Sequence, residues 1–206
     1  LIQLPGGLLT ALYFSRFARG RTGSFLRSGV ELLAGIPSVV YGFFGLVIIV
    51  PFVRLLGPGT GLSVLAASLI LGIMILPTVI TVAQSALDAV PARYYEGALA
   101  LGVDHEHAVF KVVAPAAASG IMAAIVLGLG RAIGETMAVV MVAGNMPIIP
   151  DSLLSGVRTM TANIVLEMGY AADLHREALI ATGVVLFVFI LLINLCFSAL
   201  KRGKKA

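Results

Sequence analysis

The fold is decided by long apolar runs, the clearest of which reads LSVLAASLILGIMILPTVITVAQSAL from Leu62 to Leu87. This run contains no charged residue and exceeds the roughly 20 residues that a helix needs to cross a bilayer core of about 30 Å. Four other segments have the same apolar character: Leu1 to Phe14, Leu32 to Leu56, Val113 to Val142 and Ala178 to Leu200. The sequence therefore predicts an all-α integral membrane protein with five transmembrane helices.

Composition excludes most other classes of protein. The 206 residues are 59% hydrophobic and 12% charged, with a formal net charge of +4. A soluble domain has about a quarter of its residues charged, because its surface must be solvated. The basic residues lie among apolar runs, so a disordered or nucleic-acid-binding chain is not expected. The sequence opens at Leu1 inside an apolar stretch, which predicts that an upstream part, with a sixth span, precedes it.

Lysine and arginine predict the orientation in the membrane. Ten of the 14 basic residues fall between spans one and two, between spans three and four, or after span five. These three segments share one side of the membrane, which the positive-inside rule assigns to the cytoplasm together with the C-terminus. The longest segment on the opposite side is residues 145–177. We predict a packed extracytoplasmic loop there, although the apolar spacing between Ser152 and Met168 is also typical of an amphipathic helix.

The cytoplasmic loop at residues 91–115 is too polar to span the membrane. It contains two helix-like pieces, Ala92 to Leu101 and His105 to Val113. Gly102 lies between them and can adopt the left-handed conformation that ends a helix, and Asp104 can cap the next helix. We expect a rigid elbow on the cytoplasmic face, either docked on a partner or lying on the surface alone.

The residues of this elbow carry a family resemblance. Its pattern resembles E-A-A-x3-G-x9-I-x-L-P, the cytoplasmic loop signature of ABC importer permeases. Four positions match, Val112 is a conservative variant, and Gly97 and Ala114 depart from the pattern; the matches are Glu96, Ala98, Gly102 and Pro115. The resemblance implies a type I importer permease of the MetI-like fold, in which the elbow docks in an ATP-hydrolysing subunit. The chain itself would need no cofactor, since the partner uses the ATP.

Residues in the spans are similar to a narrower group. Residues 35–45 (GIPSVVYGFFG) and 128–138 (GLGRAIGETMA) resemble permease subunits of the bacterial phosphate-specific (Pst) importer, and residues 141–145 and 159–164 favour the PstC type over PstA. The resemblance implies phosphate import through the bacterial cytoplasmic membrane by a multi-pass subunit. The implied partners are a paralogous second permease, an ATP-binding dimer, a phosphate-binding protein and membrane lipid. No nucleic acid is expected.

Arg131 and Glu135 are the charges inside the fourth predicted span. An intramembrane charge is costly unless it is paired or hydrated, which marks it as functional, and the i, i+4 spacing predicts one shared helix face. Arginine can bind an oxyanion with its planar fork of donors, and a carboxylate can accept the proton of P–O–H, which sulfate lacks. The resemblance assigns both residues to the substrate path, with Thr136 beside them. The alternative is a structural lock between helices.

Other patterns indicate packing rather than chemistry. Gly128, Gly130 and Gly134 predict close helix packing, and Pro37 and Pro77 predict kinks in their spans. His105 and His107 fall on different faces of a helix, so no metal site is predicted. No phosphate loop or nucleophile elbow is present, so no catalytic residue is assigned. The alternatives to an importer subunit are an ATP-independent anion channel or carrier, a permease for sulfate or molybdate, and an intramembrane hydrolase.

Overall fold

A computed structural model describes residues 3–18 and 20–203. These residues form helices, with long irregular connections at 55–63 and 143–159, and three five-residue π-helical turns, at 13–17, 45–49 and 109–113, interrupt the α-helices. The α-helices are α1 Gln3–Leu12, α2 Gly20–Gly35, α3 Ser38–Phe44, α4 Val50–Arg54, α5 Val64–Asp88, α6 Ala92–Ala100, α7 His105–Ala108, α8 Ala114–Ala116, α9 Ala118–Gly134, α10 Met137–Val142, α11 Met160–Glu167 and α12 Asp173–Gly203. The predicted all-α class is confirmed.

Two single helices are long and apolar enough to cross a membrane, Val64–Asp88 and the Asp173–Ala199 part of α12. Two bent helix pairs bring the total to as many as four among the described residues. They are Gly20–Gly35 with Ser38–Arg54, and His105–Ala116 with Ala118–Gly134. The first predicted span corresponds to α1 and the turn after it, a helix shorter than a full crossing, and its first two residues lie outside the described part of the chain.

The region before the second predicted span differs from the sequence-based expectation. Arg21 and Arg27 lie between the first two predicted spans, and this segment is part of helix α2, which continues to Gly35 inside the predicted second span. Helix α2 ends at Gly35, and Pro37 takes the N-cap position of α3 in an extended conformation. The expected interruption at Pro37 is therefore confirmed. Pro77, by contrast, lies inside an uninterrupted α5.

The chain divides into two compact units. The first contains the described residues of 1–35, 75–129 and 201–203. Its core joins α1, the second half of α5, the π-helical turn at 109–113 and the first part of α9. The buried residues are Ala11, Leu12, Ala83, Leu87, Val90, Val109, Val113, Ala117 and Ala124. Arg16 links the π-helical turn at 13–17 to the end of α5, because its Nη2 donates to the Leu87 carbonyl at 3.0 Å.

The second unit contains residues 36–74 and 130–200. Its core consists of Val50, Val53, Ala66, Ala67, Val139, Val142 and Ala143. The first turn of α5 has N–H groups without helical partners. The fully buried Ser63 accepts from Ala66 N–H at 3.2 Å, and backbone carbonyls of the 151–155 segment accept from Val64 and Leu65.

The segment at 145–177, predicted to be an extracytoplasmic loop, is partly helical. The helical interpretation of Ser152 to Met168 applies only to its second half, because α11 begins at Met160. The Leu153 and Ser155 carbonyls bond to the start of α5 at 2.8 and 3.0 Å, and Val157 N–H donates to Ala143 O at 2.9 Å. These tertiary hydrogen bonds hold residues 152–159 out of a helix.

Candidate functional site

The fourth predicted span is broken at its charged residues. Val113 to Val142 was expected to be one helix, but α9 ends at Gly134 and α10 begins at Met137. A further irregularity at Ala117 separates α8 from α9. Arg131 lies in the last turn of α9, whereas Glu135 lies in the two-residue break. The expectation that both project from one continuous helix face is therefore wrong.

Side chains satisfy the backbone groups that the break exposes. The Glu135 carboxylate accepts from Ala138 N–H through Oε1 at 3.1 Å, in the manner of an N-terminal cap. Thr136 Oγ1 donates to Gly134 O at 3.2 Å. Thr161 Oγ1, on α11, donates to the Glu135 carbonyl at 3.1 Å, from a position 26 residues along the chain. The break is thus held by three side chains.

The two charges occupy favourable helix ends. Arg131 is in the last turn of α9, where the C-terminal carbonyls stabilise a cation. Glu135 receives an N–H from the first turn of α10. The Arg131 side chain is exposed and that of Glu135 is partly buried. An unbroken helix would offer neither arrangement, because its internal N–H and C=O groups would be paired.

Glu135 lines a cavity of about 340 Å³ in the second unit. Ser68, Thr159 and Thr161 contribute hydroxyl groups to the lining. The remaining lining residues are Val64, Ala67, Leu71, Ala132, Ile133, Val139, Val157, Met160, Leu186 and Phe189. The volume lies at the small end of the range for ligand sites, about 300–1,000 Å³. One carboxylate and three hydroxyls in an apolar setting can bind a small ligand that donates hydrogen bonds.

The three glycines of this span behave differently. A Cβ at Gly128 would lie 2.8 Å from Val79 Cγ2 and 3.1 Å from Ile75 Cγ2, so this glycine permits close packing of α9 on α5. At Gly130 and Gly134 a Cβ would meet nothing within 4 Å among the described residues. The described part of the chain supplies no packing partner there.

The elbow at residues 91–115 has the predicted form. Helix α6 ends at Ala100, and Gly102 adopts φ +83°. Val103 N–H donates to Ala98 O at 3.2 Å, and Gly102 N–H donates to Leu99 O at 2.9 Å. This is the hydrogen-bond pattern of a Schellman motif, which requires a left-handed residue at Gly102.

The second arm of the elbow differs in detail. Asp104 takes the N-cap position of α7, but its carboxylate contacts His107 Nδ1 at 2.7 Å instead of a backbone N–H. His105 Nδ1 shares a 2.7 Å hydrogen bond with the Tyr95 hydroxyl, and its ring packs edge-on against Phe17 at a centroid distance of 4.7 Å. The two arms are thereby locked together.

The predicted contact residues of the elbow differ in their exposure to solvent. Glu96 and Gly102 are exposed, and Ala98 is buried. Pro115 is exposed in the three-residue helix α8, after the elbow's second arm. A partner can therefore touch Glu96 and Gly102 directly, whereas Ala98 packs within the chain.

Several residues that shape the site were not assigned from sequence. Thr161 lies in a stretch that entered the family resemblance, but nothing local connects it to Glu135. The ion pair between Arg158 and Glu167, at 2.7 Å, joins the irregular stretch before α11 to the last residue of that helix, and Arg158 Nε also donates to Asn145 O at 2.9 Å. Only tertiary structure brings these residues together.

Comparison with known proteins identifies the family of this chain. Residues 3–205 match the model for the binding-protein-dependent transport system inner membrane component. The chain belongs to that family. Membership of a family of inner membrane components, together with the long apolar helices, indicates a multi-pass membrane protein.

Individual relatives narrow the comparison. The chain is 40% identical over 201 residues to the probable ABC transporter permease YqgH of Bacillus subtilis, covering 94% of this chain and 65% of the relative. It is 35% identical to the phosphate transport system permease PstC of Mesorhizobium japonicum, with the same coverage. It is 36% identical to PstC 1 of Mycobacterium tuberculosis, covering 98% of this chain and 67% of the relative. The chain thus spans about two thirds of these relatives.

Solved structures support the fold. A structure of the methionine ABC transporter MetNI in an inward-facing conformation aligns with a TM-score of 0.72 at 23% identity, covering 98% of this chain and 85% of the other. An amino acid ABC transporter aligns with a TM-score of 0.63 at 18% identity, covering 98% and 86%. The type I permease fold is therefore confirmed.

Proposed function

We propose that this permease is the membrane-spanning subunit of an ATP-driven importer of inorganic phosphate. The observation that carries the proposal is the Glu135 carboxylate, held at a helix break on the wall of a small cavity. Relatives named as phosphate transport permeases support the choice of anion.

The chemistry of the break suits phosphate. Phosphate near neutral pH keeps at least one P–O–H group, and sulfate has none. Glu135 uses Oε1 to cap α10, so Oε2 is the oxygen that can accept a proton-bearing group of the substrate. Arg131, one helical turn before the break, supplies the counter-charge that an anion needs in a low-dielectric passage. Thr136 fixes the end of α9, which makes it a supporting residue of the path.

The elbow suits coupling to a separate ATP-hydrolysing subunit. Its arms are fixed by the Schellman motif and by the Tyr95–His105 hydrogen bond, so a push on Glu96 or Gly102 moves the whole elbow. The proposed partners are an ATP-binding dimer on the cytoplasmic side, a paralogous second permease and an extracytoplasmic phosphate-binding protein. ATP hydrolysis and its cofactors belong to the partner, and the C-terminus lies in the cytoplasm.

The test is uptake into proteoliposomes that contain the full assembly with its binding protein. Radiolabelled phosphate should accumulate only when ATP is supplied on the side of the ATP-binding subunits, and labelled sulfate should not. Equal phosphate flux without ATP would indicate a channel or carrier. Accumulation of sulfate or molybdate in place of phosphate would indicate a permease for another oxyanion.

A further inference from the structure

The backbone at Glu135 depends on a hydroxyl from another part of the chain. In a continuous helix the carbonyl of residue 135 would accept from the N–H of residue 139. The break removes this partner, and Thr161 Oγ1 takes its place at 3.1 Å. An unsatisfied carbonyl in an apolar setting is costly, so this bond helps to decide where the break lies.

The hydrogen bonds around Thr161 determine the direction in which its hydroxyl proton points. Thr159 and Thr161 approach with their oxygens 3.2 Å apart. Thr161 has one proton, which goes to the Glu135 carbonyl, so Thr159 donates to Thr161. Thr159 Oγ1 also accepts from Ala162 N–H at 3.2 Å and caps α11. The result is a chain of hydrogen bonds from Thr159 through Thr161 to Glu135, in which each bond polarises the next.

The helix that carries Thr161 is anchored at its other end. Glu167, the last residue of α11, pairs with Arg158 at 2.7 Å, and Asn163 Oδ1 accepts from Arg158 at 3.3 Å. Arg158 and Glu167 side chains are each about one-fifth exposed, so the pair is poorly hydrated. The hydroxyl that bonds the Glu135 carbonyl is therefore carried by a helix that is itself held in place.

We propose that Thr161 is a positioning residue for Glu135: its hydroxyl fixes the Glu135 peptide so that the carboxylate presents one oxygen to the cavity, where it accepts the P–O–H of phosphate. The inference rests on the proposed function and adds to it a residue that determines specificity. Thr159 and Thr161 line the same cavity as Glu135, so their displacement changes the wall that the anion meets.

The experiment uses the assembled complex without its binding protein, in a background carrying Cys196→Ala and Val64→Cys. Val64 is a partly exposed residue of the cavity lining that offers the ligand no polar group, so a thiol reagent at this position can report occupancy of the cavity. The measurement is the concentration of inorganic phosphate, or of sulfate, that halves the rate of thiol modification. In this parent, phosphate should protect at a lower concentration than sulfate.

The variants separate hydrogen bonding from size. Thr161→Val removes the donor while keeping the shape, and it should raise the half-protective phosphate concentration about tenfold, toward the sulfate value. Thr161→Ser should retain the parent value. Thr182→Val is the matched control, because Thr182 donates to Ala178 O within α12, away from the cavity lining. If Thr161→Val does not assemble, Thr161→Ala takes its place, because the smaller side chain cannot clash with its neighbours.

The outcomes distinguish the two proposals. If phosphate protects the parent and the Thr161→Val or Thr161→Ala variant keeps the parent's value, the positioning role is wrong and the proposed function stands. If Thr161→Ser shifts as far as Thr161→Val, the effect is one of packing, which also overturns the role. If neither anion protects the parent although phosphate uptake is intact, phosphate is not bound in this cavity, and the positioning role of Thr161 is wrong. If sulfate protects the parent better than phosphate, the proposed function fails.

Discussion

At the scale of single residues, the break after Gly134 gives two charges distinct environments. Arg131 lies at the C-terminal end of α9, and Glu135 caps the start of α10. Charges placed at such helix ends within a membrane cost less than charges on an unbroken helix. In the proposed function, a substrate anion meets a carboxylate that the cap already orients and the charge of Arg131 one helical turn away.

Arg131 is predicted to be required for uptake. Arg131→Ala should abolish phosphate uptake, since the anion loses its main counter-charge in the passage, whereas Arg131→Lys should retain part of it, because a lysine keeps the charge but not the planar fork. Arg54→Ala, at the exposed end of α4, is the control and should transport normally. Uptake is measured in proteoliposomes with equal amounts of assembled complex; normal uptake by Arg131→Ala would remove this residue from the path.

Gly102 is predicted to be essential for coupling. Its φ of +83° costs a residue with a Cβ roughly 1–2 kcal/mol, and more if the side chain is branched, so Gly102→Val should uncouple ATP hydrolysis from uptake while the subunit still inserts. Gly97→Ala is the matched control: it lies in helix α6, where no described atom is within 4 Å of a new Cβ, and alanine favours a helix by about 1 kcal/mol. Wild-type coupling in Gly102→Val would contradict the assignment of the elbow.

At the scale of elements, the segment at residues 145–177 is a packed lobe built around Arg158. This side chain bonds the Asn145 carbonyl, the Asn163 side chain and the Glu167 carboxylate. Arg158→Ala should destabilise the purified subunit by about 2 kcal/mol, because Glu167 loses its 2.7 Å arginine partner in a partly buried site and is left with His175 at 3.8 Å. Thermal unfolding measures the effect, with exposed Arg176→Ala as the control. An unchanged melting temperature would show that α11 is held by other contacts.

The elements show what sequence can and cannot predict. The elbow was predictable, since a glycine at a helix end and a proline beyond it act locally, and Gly102 has the expected conformation. The break at Glu135 was not, because Val113 to Val142 has the apolar character of one continuous span and the bond that holds the break comes from Thr161. The helical interpretation of residues 152–159 fails for a similar reason: the Leu153 and Ser155 carbonyls bond to α5. Long-range hydrogen bonds overrode local pattern at both places.

At the scale of the whole molecule, function depends on which side of the membrane each end of the chain faces. The elbow is proposed to be cytoplasmic and the Arg158 lobe extracytoplasmic. In a Cys196→Ala background, Leu101→Cys should resist an impermeant thiol reagent in whole cells and react in inverted vesicles stripped of the ATP-binding subunits. Tyr170→Cys should show the opposite pattern; both side chains are more than 70% exposed, so accessibility is matched. Labelling of Leu101→Cys from outside would reverse the topology.

The central claim is that the Glu135 carboxylate selects phosphate, and replacement of this group is its most direct test. Glu135→Gln keeps an oxygen that can accept from Ala138 N–H, so the start of α10 should survive. It also places an N–H₂ donor where the substrate's P–O–H needs an acceptor. Glu31→Gln, in exposed α2, is the control.

The measurement is ATP hydrolysis stimulated by phosphate and by sulfate, in complex reconstituted with and without the binding protein, since that protein filters anions first. Without it, the ratio of phosphate to sulfate stimulation should fall by about tenfold in Glu135→Gln and stay unchanged in Glu31→Gln. An unchanged ratio in Glu135→Gln, together with normal phosphate uptake by Arg131→Ala, would show that the two charges only lock helices together and that phosphate crosses elsewhere.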